Sequence, residues 1–205
     1  MRFILASGSP RRAELLRAAG FEFEIVVTHV DESMQANESP RTYVRRVASA
    51  KSAAAMSEVA RPFQGRDRGA ESPAPQPIVL GADTTVVVDG DMLGKPADDR
   101  DAAAMLRRLS GRRHEVMTGV SLRQGAYEVG RVEITGVYFS RLSDADVAWY
   151  VASGEGRDKA GAYAIQGLAS RFIPRIEGSY SNVVGLPVAC VYELITEISG
   201  TRRDR

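Results

Sequence analysis

The sequence predicts an α/β fold, with a mixed α+β fold as the alternative, because strand-like and helical segments alternate along the chain. Short apolar runs typical of buried strands are separated by segments whose apolar residues follow helical spacing. The 205 residues suffice for one large domain or two small lobes. An apolar fraction of 44% and a charged fraction of 26% are typical of globular proteins, so we expect a sizeable core.

Two strand–helix pairs are predicted in the first half of the chain, and each helix opens with a serine followed by a proline. Serine is a good N-cap, and proline suits the first helical position. The predicted strands are residues 2–6 and 21–28, and the predicted helices run from Ser9-Pro10 to Gly20 and from Ser39-Pro40 to about Val59.

The second half adds further strands and helices, marked by turn and capping residues. Asp89-Gly90 is a hairpin signal, and Ser143 with Asp146 resembles a capping box. The predicted strands are residues 78–89, 115–123, 127–139, 163–165 and 172–176. The predicted helices begin at Asp98 or Asp99, at Ser143 and after Pro187. Residues 179–187 predict a turn before the last helix, with Asn182 as a turn residue.

Composition excludes several classes of function. The net charge is +1, from 27 basic and 26 acidic residues, so no global basicity favours a nucleic-acid partner. Cys190 is the only cysteine, which excludes an internal disulfide and any site of several cysteines. His29 and His114 are the only histidines. A metal would therefore be held by carboxylates and phosphate oxygens, which favours Mg²⁺ or Mn²⁺.

Two stretches carry no predicted chemistry. Residues 62–77 are rich in proline, glycine and charge, which predicts a mobile surface loop. The N-terminus lacks a signal-like apolar run, and no apolar stretch reaches the length of a membrane span. We therefore expect a cytoplasmic protein without a membrane partner.

The segment Ala6–Arg12 (ASGSPRR) predicts an anion site at the start of the first helix. Several polar groups would converge there: the free N–H groups at the helix start, the hydroxyls of Ser7 and Ser9, and the guanidinium groups of Arg11 and Arg12. Phosphate binds such groups. The alternative is an ordinary capped helix with a solvated pair of arginines.

Lys51 and Asp83 are polar residues at positions where the surrounding pattern is apolar. Lys51 falls in the middle of the apolar stripe of the second helix, and Asp83 interrupts a predicted strand. A buried charge is costly without a partner, so Lys51 is expected to meet an anion. Asp83 is expected to hold a metal or to accept a proton from water. The alternatives are a lysine that extends to solvent and an aspartate satisfied by backbone N–H groups.

Three further positions are weaker candidates. Lys95 lies in Gly-Lys-Pro and could point towards the Asp83 strand, although a solvated turn lysine is the alternative. Glu32 follows a predicted strand and could supply a second carboxylate to a metal, or be a solvated loop residue. Residues 157–167 (RDKAGAYAIQG) are here called the Gly-rich segment. Their small side chains would allow the backbone to approach a ligand closely, and Gln166 could pair with a base edge. A close crossing of strands would also explain this segment.

No phosphate loop GxxxxGK[ST], dinucleotide fingerprint GxGxxG or nucleophile elbow GxSxG occurs in the sequence. The motifs that do occur resemble those of the Maf family of nucleoside triphosphate pyrophosphatases over nearly the whole chain. The matching pieces are ASGSPRR at 6–12, Glu32 in VDES, Lys51, GADT at 81–84, GKP at 94–96, DKAGAYAIQG at 158–167 and VVGLP at 183–187.

Within that family the sequence is similar to the branch that acts on dTTP and UTP. The resemblance rests on Arg11 after Ser-Pro, Thr84 after the aspartate, and Gln166 in the Gly-rich segment. The sister branch, which acts on 7-methyl-GTP, has a tryptophan, a glutamine and a glutamate at the corresponding positions. Two departures are visible: Ala164 replaces a usual glycine, and the loop at 62–77 is long.

The resemblance implies one domain over residues 1–205, with an elongated α/β fold like that of Maf and ITPase proteins. A mixed twisted sheet and a cleft between two lobes belong to that expectation, and a homodimer is compatible with it. The implied reaction is NTP + H₂O → NMP + pyrophosphate, assisted by Mg²⁺ or Mn²⁺.

The resemblance also implies roles for individual residues. Asp83 would be catalytic and, with Glu32, would hold the metal. The phosphates would bind to Ser7, Arg12, Lys51 and Lys95, and the base would be selected by Arg11, Thr84 and Gln166. The same chemistry on 7-methyl-GTP or a deaminated purine, and a non-catalytic nucleotide-binding regulator of cell division, remain the alternatives.

Overall fold

The computed structural model describes residues 2–60 and 76–200, and within them the chain forms a mixed sheet of seven strands. The strand order is β2-β1-β3-β5-β6-β7, with β4 paired to β3. β1 is parallel to β2 and β3, whereas all other pairs are antiparallel. The strands are β1 (Phe3–Ala6), β2 (Glu24–Ile25), β3 (Ile78–Val88), β4 (Asp91–Leu93), β5 (Arg113–Gln124), β6 (Tyr127–Tyr138) and β7 (Arg175–Glu177).

Six α-helices accompany these strands in the described part of the chain. They are α1 (Pro10–Ala18), α2 (Pro40–Val59), α3 (Asp99–Leu109), α4 (Asp144–Ala152), α5 (Tyr180–Val184) and α6 (Val188–Gly200). The caps predicted from sequence hold three of the helix starts: Ser39 accepts from the Thr42 N–H, Asp98 from Asp101, and Ser143 with Asp146 forms a capping box. Short 3₁₀ turns occupy Ala160–Ala162 and Leu168–Phe172.

Two apolar cores lie along one face of the long strand β3. Ile78, Leu80 and Ala82 belong to the first core, which includes residues of α1 and α6. Val86 and Val88 belong to the second core, which includes residues of α3 and α4. Because successive side chains of a strand alternate between faces, Thr84 falls on the same face between the two cores. The α/β class and the mixed sheet are confirmed, and the division into two cores places a cleft at the centre of β3.

A gap in the described part of the sheet leaves the centre of β3 without a neighbouring strand on the side that pairs with β1 and β4. The pairing of β1 with β3 ends at Ala6 opposite Gly81, and the pairing of β4 with β3 begins at Val86. Between them, residues 82–85 have no strand partner on that side within the described chain. Backbone and side chains of this stretch are therefore accessible to groups from elsewhere in the fold.

Four predictions of local structure are wrong. The strand predicted at 21–28 is only Glu24–Ile25, because Phe21 and Phe23 pack against the first core instead of extending the pairing. Residues 163–165 form no strand and lead into a turn, and the strand predicted at 172–176 lies at Arg175–Glu177. Asn182 lies in helix α5 and is fully buried, where its amide donates to the Val116 carbonyl and the Thr135 hydroxyl.

The loop predicted at 62–77 falls mostly on residues 61–75, which lie outside the described residues. Among the helices that the structure describes, none combines the length and the apolar character needed to cross a bilayer.

Candidate active site

A cleft of about 620 Å³ lies where the gap in the sheet exposes β3 between the two cores. Its lining comes from the β1–α1 turn, β3, the β4–α3 turn, the Gly-rich segment and the α5–α6 turn. All nine residues predicted to form the site line this cleft: Ser7, Arg11, Arg12, Glu32, Lys51, Asp83, Thr84, Lys95 and Gln166. The structure therefore brings the predicted residues together in one cleft.

Lys51 lies between two carboxylates on one side of the cleft. Its Nζ is 2.8 Å from Asp83 Oδ1 and 2.8 Å from Glu32 Oε1. The side chains of Lys51 and Asp83 are each only 10% exposed, whereas that of Glu32 is 53% exposed. The expectation that buried Lys51 meets an anion is confirmed, and the anions are buried Asp83 and half-exposed Glu32. The second oxygen of each carboxylate accepts no hydrogen bond from the described residues, so both remain available to a ligand.

Two glycines allow helix α2 to approach the sheet closely enough for this contact. A Cβ on Gly81 would lie 2.2 Å from the Ala48 carbonyl oxygen, and one on Gly119 would lie 2.1 Å from that of Val44. Both distances are far below van der Waals contact, so no larger residue fits without a backbone shift. The close packing brings Lys51 of α2 to Asp83 of β3.

The Arg12 guanidinium connects three parts of the chain at the bottom of the cleft. It donates to the Gly185 carbonyl at 2.9 Å, to the Ala82 carbonyl at 2.9 Å, and to the hydroxyls of Ser7 and Thr84 at 3.2 and 3.1 Å. The Ala82 carbonyl is free to accept because it lies in the gap of the sheet. Burial lowers the pKa of Arg12, while the charges of Asp83 and Glu32 oppose that shift. The group stays charged, since an arginine pKa starts far above neutrality.

Helix α1 presents its N-terminus to the same cleft. Ser9 occupies the N-cap position, but its side chain makes no capping hydrogen bond, and its N–H points to the Ser7 hydroxyl at 3.2 Å. Side-chain capping is therefore absent at this helix start among the described residues, in contrast to α2, α3 and α4. The backbone N–H groups of the first turn and the positive end of the helix dipole are left for an anion.

The opposite side of the cleft carries groups of different character. Arg11 pairs with Asp158 at 3.3 Å, and Lys159 also contacts Asp158, whose pKa is lowered by that hydrogen bond and by the nearby cations. Gln166 and Lys95 are exposed and make no hydrogen bond or ion pair to the described residues. These two side chains therefore keep all their polar groups for a ligand.

Thr84 is held more firmly than the sequence alone suggests. Its Oγ1 lies 3.1 Å from an Arg12 nitrogen, 2.9 Å from the Thr118 hydroxyl and 3.2 Å from the Gly185 carbonyl. Thr118 is its direct partner on β5 and points to the same face of the sheet. The protein thus fixes both the hydroxyl and the methyl group of Thr84.

Tyr43 lines the cleft and was missed by the sequence reasoning. Its hydroxyl donates to the Glu32 carbonyl at 3.0 Å, and Arg46 donates to the Ser33 carbonyl at 2.9 Å, so helix α2 holds the segment that carries Glu32. Burial, followed by the charges of Asp83 and Glu32, raises the pKa of Tyr43 to about 12. Helical spacing could have revealed it, because Tyr43 lies eight residues before Lys51 and so on the same face of α2.

Comparisons with known proteins give the chain close relatives. It is 45% identical over 201 residues to proteins named dTTP/UTP pyrophosphatase from Escherichia coli O157:H7, from Shigella sonnei strain Ss046 and from Escherichia coli strain K12. Each of these matches covers 98% of this chain and 95% of the relative.

A likeness to a solved structure and a match to a family complete the comparisons. The structure of the Staphylococcus aureus Ham1 protein matches 68% of this chain and 72% of its own, with a TM-score of 0.45 and 12% sequence identity. The family described as Maf-like protein matches residues 2–198, which is nearly the whole sequence. The chain therefore belongs to the Maf family.

Proposed function

We propose that this protein is a nucleoside triphosphate pyrophosphatase that converts dTTP and UTP to the monophosphate and pyrophosphate. The names of its relatives at 45% identity support the substrate and the reaction. The observation that carries the proposal is the pairing of buried Asp83 with Lys51 inside a cleft rich in cations. Such an activity would remove unwanted nucleotides before a polymerase uses them.

The charges of the cleft suit a polyphosphate. Among the described residues that line it, five are cationic and three are carboxylates, and the N-terminus of α1 adds a partial positive charge. The cations are Arg11, Arg12, Lys51, Lys95 and Lys159, and the carboxylates are Glu32, Asp83 and Asp158. Ser7, Arg12, Lys51 and Lys95 would hold the phosphates and stabilise the charge that develops as pyrophosphate leaves.

Asp83 would accept the proton of the water that attacks the α-phosphorus. Its Oδ1 is held by Lys51 at 2.8 Å, which fixes the orientation of the carboxylate in the cleft. Its Oδ2 has no partner among the described residues, so this oxygen would receive the proton.

The donor set in the cleft fits a hard divalent cation. No group of three or more His, Cys, Asp or Glu side chains suited to a metal exists among the described residues. Glu32 and Asp83 nevertheless share one ammonium group and each keep a free oxygen, and a triphosphate would supply further oxygens. Such oxygen donors match Mg²⁺ or Mn²⁺, which would polarise the phosphate when bound.

Base selection would rest on Arg11, Thr84 and Gln166. Arg11 and Gln166 carry donors, and the Gln166 amide also has an acceptor, so they can satisfy the edge of a pyrimidine. A site built around such bonds rejects a base that leaves them unpaired. The cytoplasmic location and the homodimer stay predictions.

The proposal is tested by pyrophosphate release from dTTP, UTP, CTP, ATP, GTP and 7-methyl-GTP, with the parent and with Asp83→Asn. We expect dTTP and UTP to be cleaved well, and Asp83→Asn to lower turnover by roughly 10²–10⁴, the usual effect of losing a general base. Asp89→Asn is the matched control, because Asp89 directly follows the same strand and is exposed and paired with Arg112.

Three outcomes would contradict the proposal in different ways. A folded Asp83→Asn variant with the parental rate would show that Asp83 is not the base. Release of pyrophosphate mainly from 7-methyl-GTP or a purine would move the chain to the alternative substrate, and tight binding without any release would favour a nucleotide-binding regulator.

A further inference from the structure

Tyr150 is a buried residue of α4 whose hydroxyl lies beneath the Gly-rich segment. Its side chain is 1% exposed, and its hydroxyl accepts a hydrogen bond from the Ala164 N–H at 3.0 Å. The same hydroxyl donates to Glu155 Oε2 at 2.7 Å. Burial, followed by the hydrogen bond to Glu155, raises the pKa of Tyr150, so the phenol stays protonated and keeps this donor.

Glu155 holds the backbone on the other side of Gln166. Its Oε1 accepts from the Leu168 N–H at 2.9 Å, and its Oε2 accepts from the Ala169 N–H at 3.4 Å. Gly167 permits this approach, since a Cβ there would lie 2.0 Å from Glu155 Oε1. The carboxylate therefore fixes the chain two and three residues after Gln166, and the Tyr150 hydroxyl fixes it two residues before.

The side chain of Gln166 has no contact of its own that fixes it. Arg11 is held by Asp158, and Thr84 by Arg12 and Thr118, whereas Gln166 is exposed and without a described hydrogen-bond partner. The position of its amide thus depends on the backbone at 164–168. A Gly167 N–H to Ala164 carbonyl bond of 3.1 Å closes the turn that carries it.

We propose that the hydrogen-bonded pair Tyr150 and Glu155 positions Gln166 and thereby sets the base selectivity of the cleft. Neither residue is among those that line the cleft, so both act through the backbone of the Gly-rich segment. The inference rests on the proposed function, because it assigns Gln166 to base recognition.

The test compares the parent with Tyr150→Phe, Glu155→Ala, Glu155→Gln, Gln166→Ala and the double variant Tyr150→Phe/Gln166→Ala. Tyr138→Phe is the matched control, since Tyr138 also donates to a glutamate, at 2.8 Å to Glu177, and is not among the residues that line the cleft. The readouts are kcat/KM for dTTP and ATP, the inhibition constant of inorganic triphosphate, and the dissociation constants of dTTP and ATP measured with chelator present. Thermal unfolding verifies that each variant is folded.

We expect Tyr150→Phe to lower the ratio of kcat/KM for dTTP over ATP by about three- to tenfold, the scale of coupling between hydrogen-bonded neighbours. The inhibition constant of inorganic triphosphate should not change, because the phosphate groups are held elsewhere. Glu155→Ala should have the larger effect, and Glu155→Gln should restore part of it, since the amide keeps one acceptor oxygen. The double variant Tyr150→Phe/Gln166→Ala should have the same ratio of kcat/KM for dTTP over ATP as Gln166→Ala alone.

The inference is overturned if Tyr150→Phe and Glu155→Ala leave the ratio at the parental value. It is equally overturned if they lower both nucleotides alike, which is the signature of a purely structural role. If the parent protein binds dTTP selectively but releases no pyrophosphate, the proposed function is contradicted. The inference is then decided by whether Tyr150→Phe and Glu155→Ala lower the preference for dTTP over ATP in the dissociation constants. A parent without base selectivity in either measurement contradicts both.

Discussion

Two sides of the cleft are built by different means. One side is formed by α2 and β3, and the other is formed by the Gly-rich segment. Lys51 and Asp83 stand on long regular elements and are fixed by a buried ion pair of 2.8 Å. Gln166 stands on a turn between two short 3₁₀ segments and is exposed. A buried ion pair therefore orders the first side, whereas backbone hydrogen bonds to the Tyr150 hydroxyl and the Glu155 carboxylate order the turn that carries Gln166.

The difference agrees with the tasks proposed for the two sides. Phosphate chemistry is the same for every nucleoside triphosphate, so its groups can be built rigidly into a helix and a strand. Base recognition depends on the directions of a few hydrogen bonds, which an irregular segment can adjust by small changes in sequence. Substitutions of Lys51 and Asp83 should thus change the rate for all substrates, and those of Gln166 should change the preference among bases.

Removal of metal should have the largest effect, because it would abolish the chemistry that all substrates share. We expect chelation to eliminate pyrophosphate release and added Mg²⁺ or Mn²⁺ to restore it. Glu32→Gln should raise the metal concentration needed for half-maximal activity by about tenfold or more. The control is Asp31→Asn, since Asp31 is adjacent but bonds to the Ser33 N–H. Full turnover after exhaustive chelation would contradict the metal-assisted reaction.

Lys51→Ala should lower kcat/KM for every triphosphate by a similar factor, about 10²-fold. The reason is that it removes a cation from the phosphates and releases Asp83, and neither change depends on the base. Lys51→Arg keeps the charge and should recover part of the activity. The measurement is kcat/KM for dTTP, UTP and ATP. A loss of kcat/KM confined to dTTP and UTP would contradict the proposal that Lys51 acts on the phosphates and not on the base.

Gln166→Glu should weaken the preference for dTTP and UTP over ATP by about tenfold and leave the affinity for inorganic triphosphate nearly unchanged. The substitution removes two amide donors and adds a charge where a base edge would lie. Gln124→Glu is the control, because Gln124 lies at the end of β5 and donates to the Gln76 carbonyl. Equal losses on all nucleotides would show that Gln166 does not recognise the base.

The smallest effect concerns stability behind the Gly-rich segment, where His114 is buried against Tyr163 and Phe139. Its Nε2 lies 2.8 Å from the Tyr163 hydroxyl, and its Nδ1 has no partner among the described residues. Burial lowers the pKa of His114 from 6.5 to about 4. The unfolded chain therefore takes up this proton first, so the stability that depends on neutral His114 is complete above about pH 6.5 and is lost as the pH falls towards 4.

Between pH 8 and pH 5 this histidine should account for about 2 kcal/mol of lost unfolding free energy. The measurement is urea unfolding of the parent and of His114→Phe at both pH values. The variant should be less stable at pH 8, because the Tyr163 hydroxyl loses its partner, but its decline with pH should be smaller by that amount. Identical declines in the two proteins would contradict a buried neutral histidine.

Local patterns predicted the parts of the site that depend on local structure. The period of α2 placed Lys51 on the buried face, and the interruption of an apolar run singled out Asp83. The caps of α2, α3 and α4 were visible as Ser39, Asp98 and Ser143 because a capping residue acts within its own first turn.

Contacts between distant segments could not be predicted in this way. The bond from Arg12 to the Gly185 carbonyl spans 173 residues, and no spacing in the sequence encodes it. The strand expected at 21–28 failed because Phe21 and Phe23 gain more from packing against the first core than from extending an edge strand. Asn182 appeared to be a turn residue, since its burial against Val116 and Thr135 depends wholly on the tertiary fold.

The gap between β1 and β4 lies beside two consecutive residues of one strand, the proposed catalytic residue Asp83 and the proposed base-selecting residue Thr84. Asp83 points to α2 and Thr84 to the opposite face, yet both reach the same cleft because no neighbouring strand separates them. An inserted or deleted residue in this stretch would exchange the two faces and send the carboxylate to the wrong side. New substrate preferences can therefore arise here only by substitution at constant length, and we expect β3 to tolerate many exchanges of side chain but no change in register.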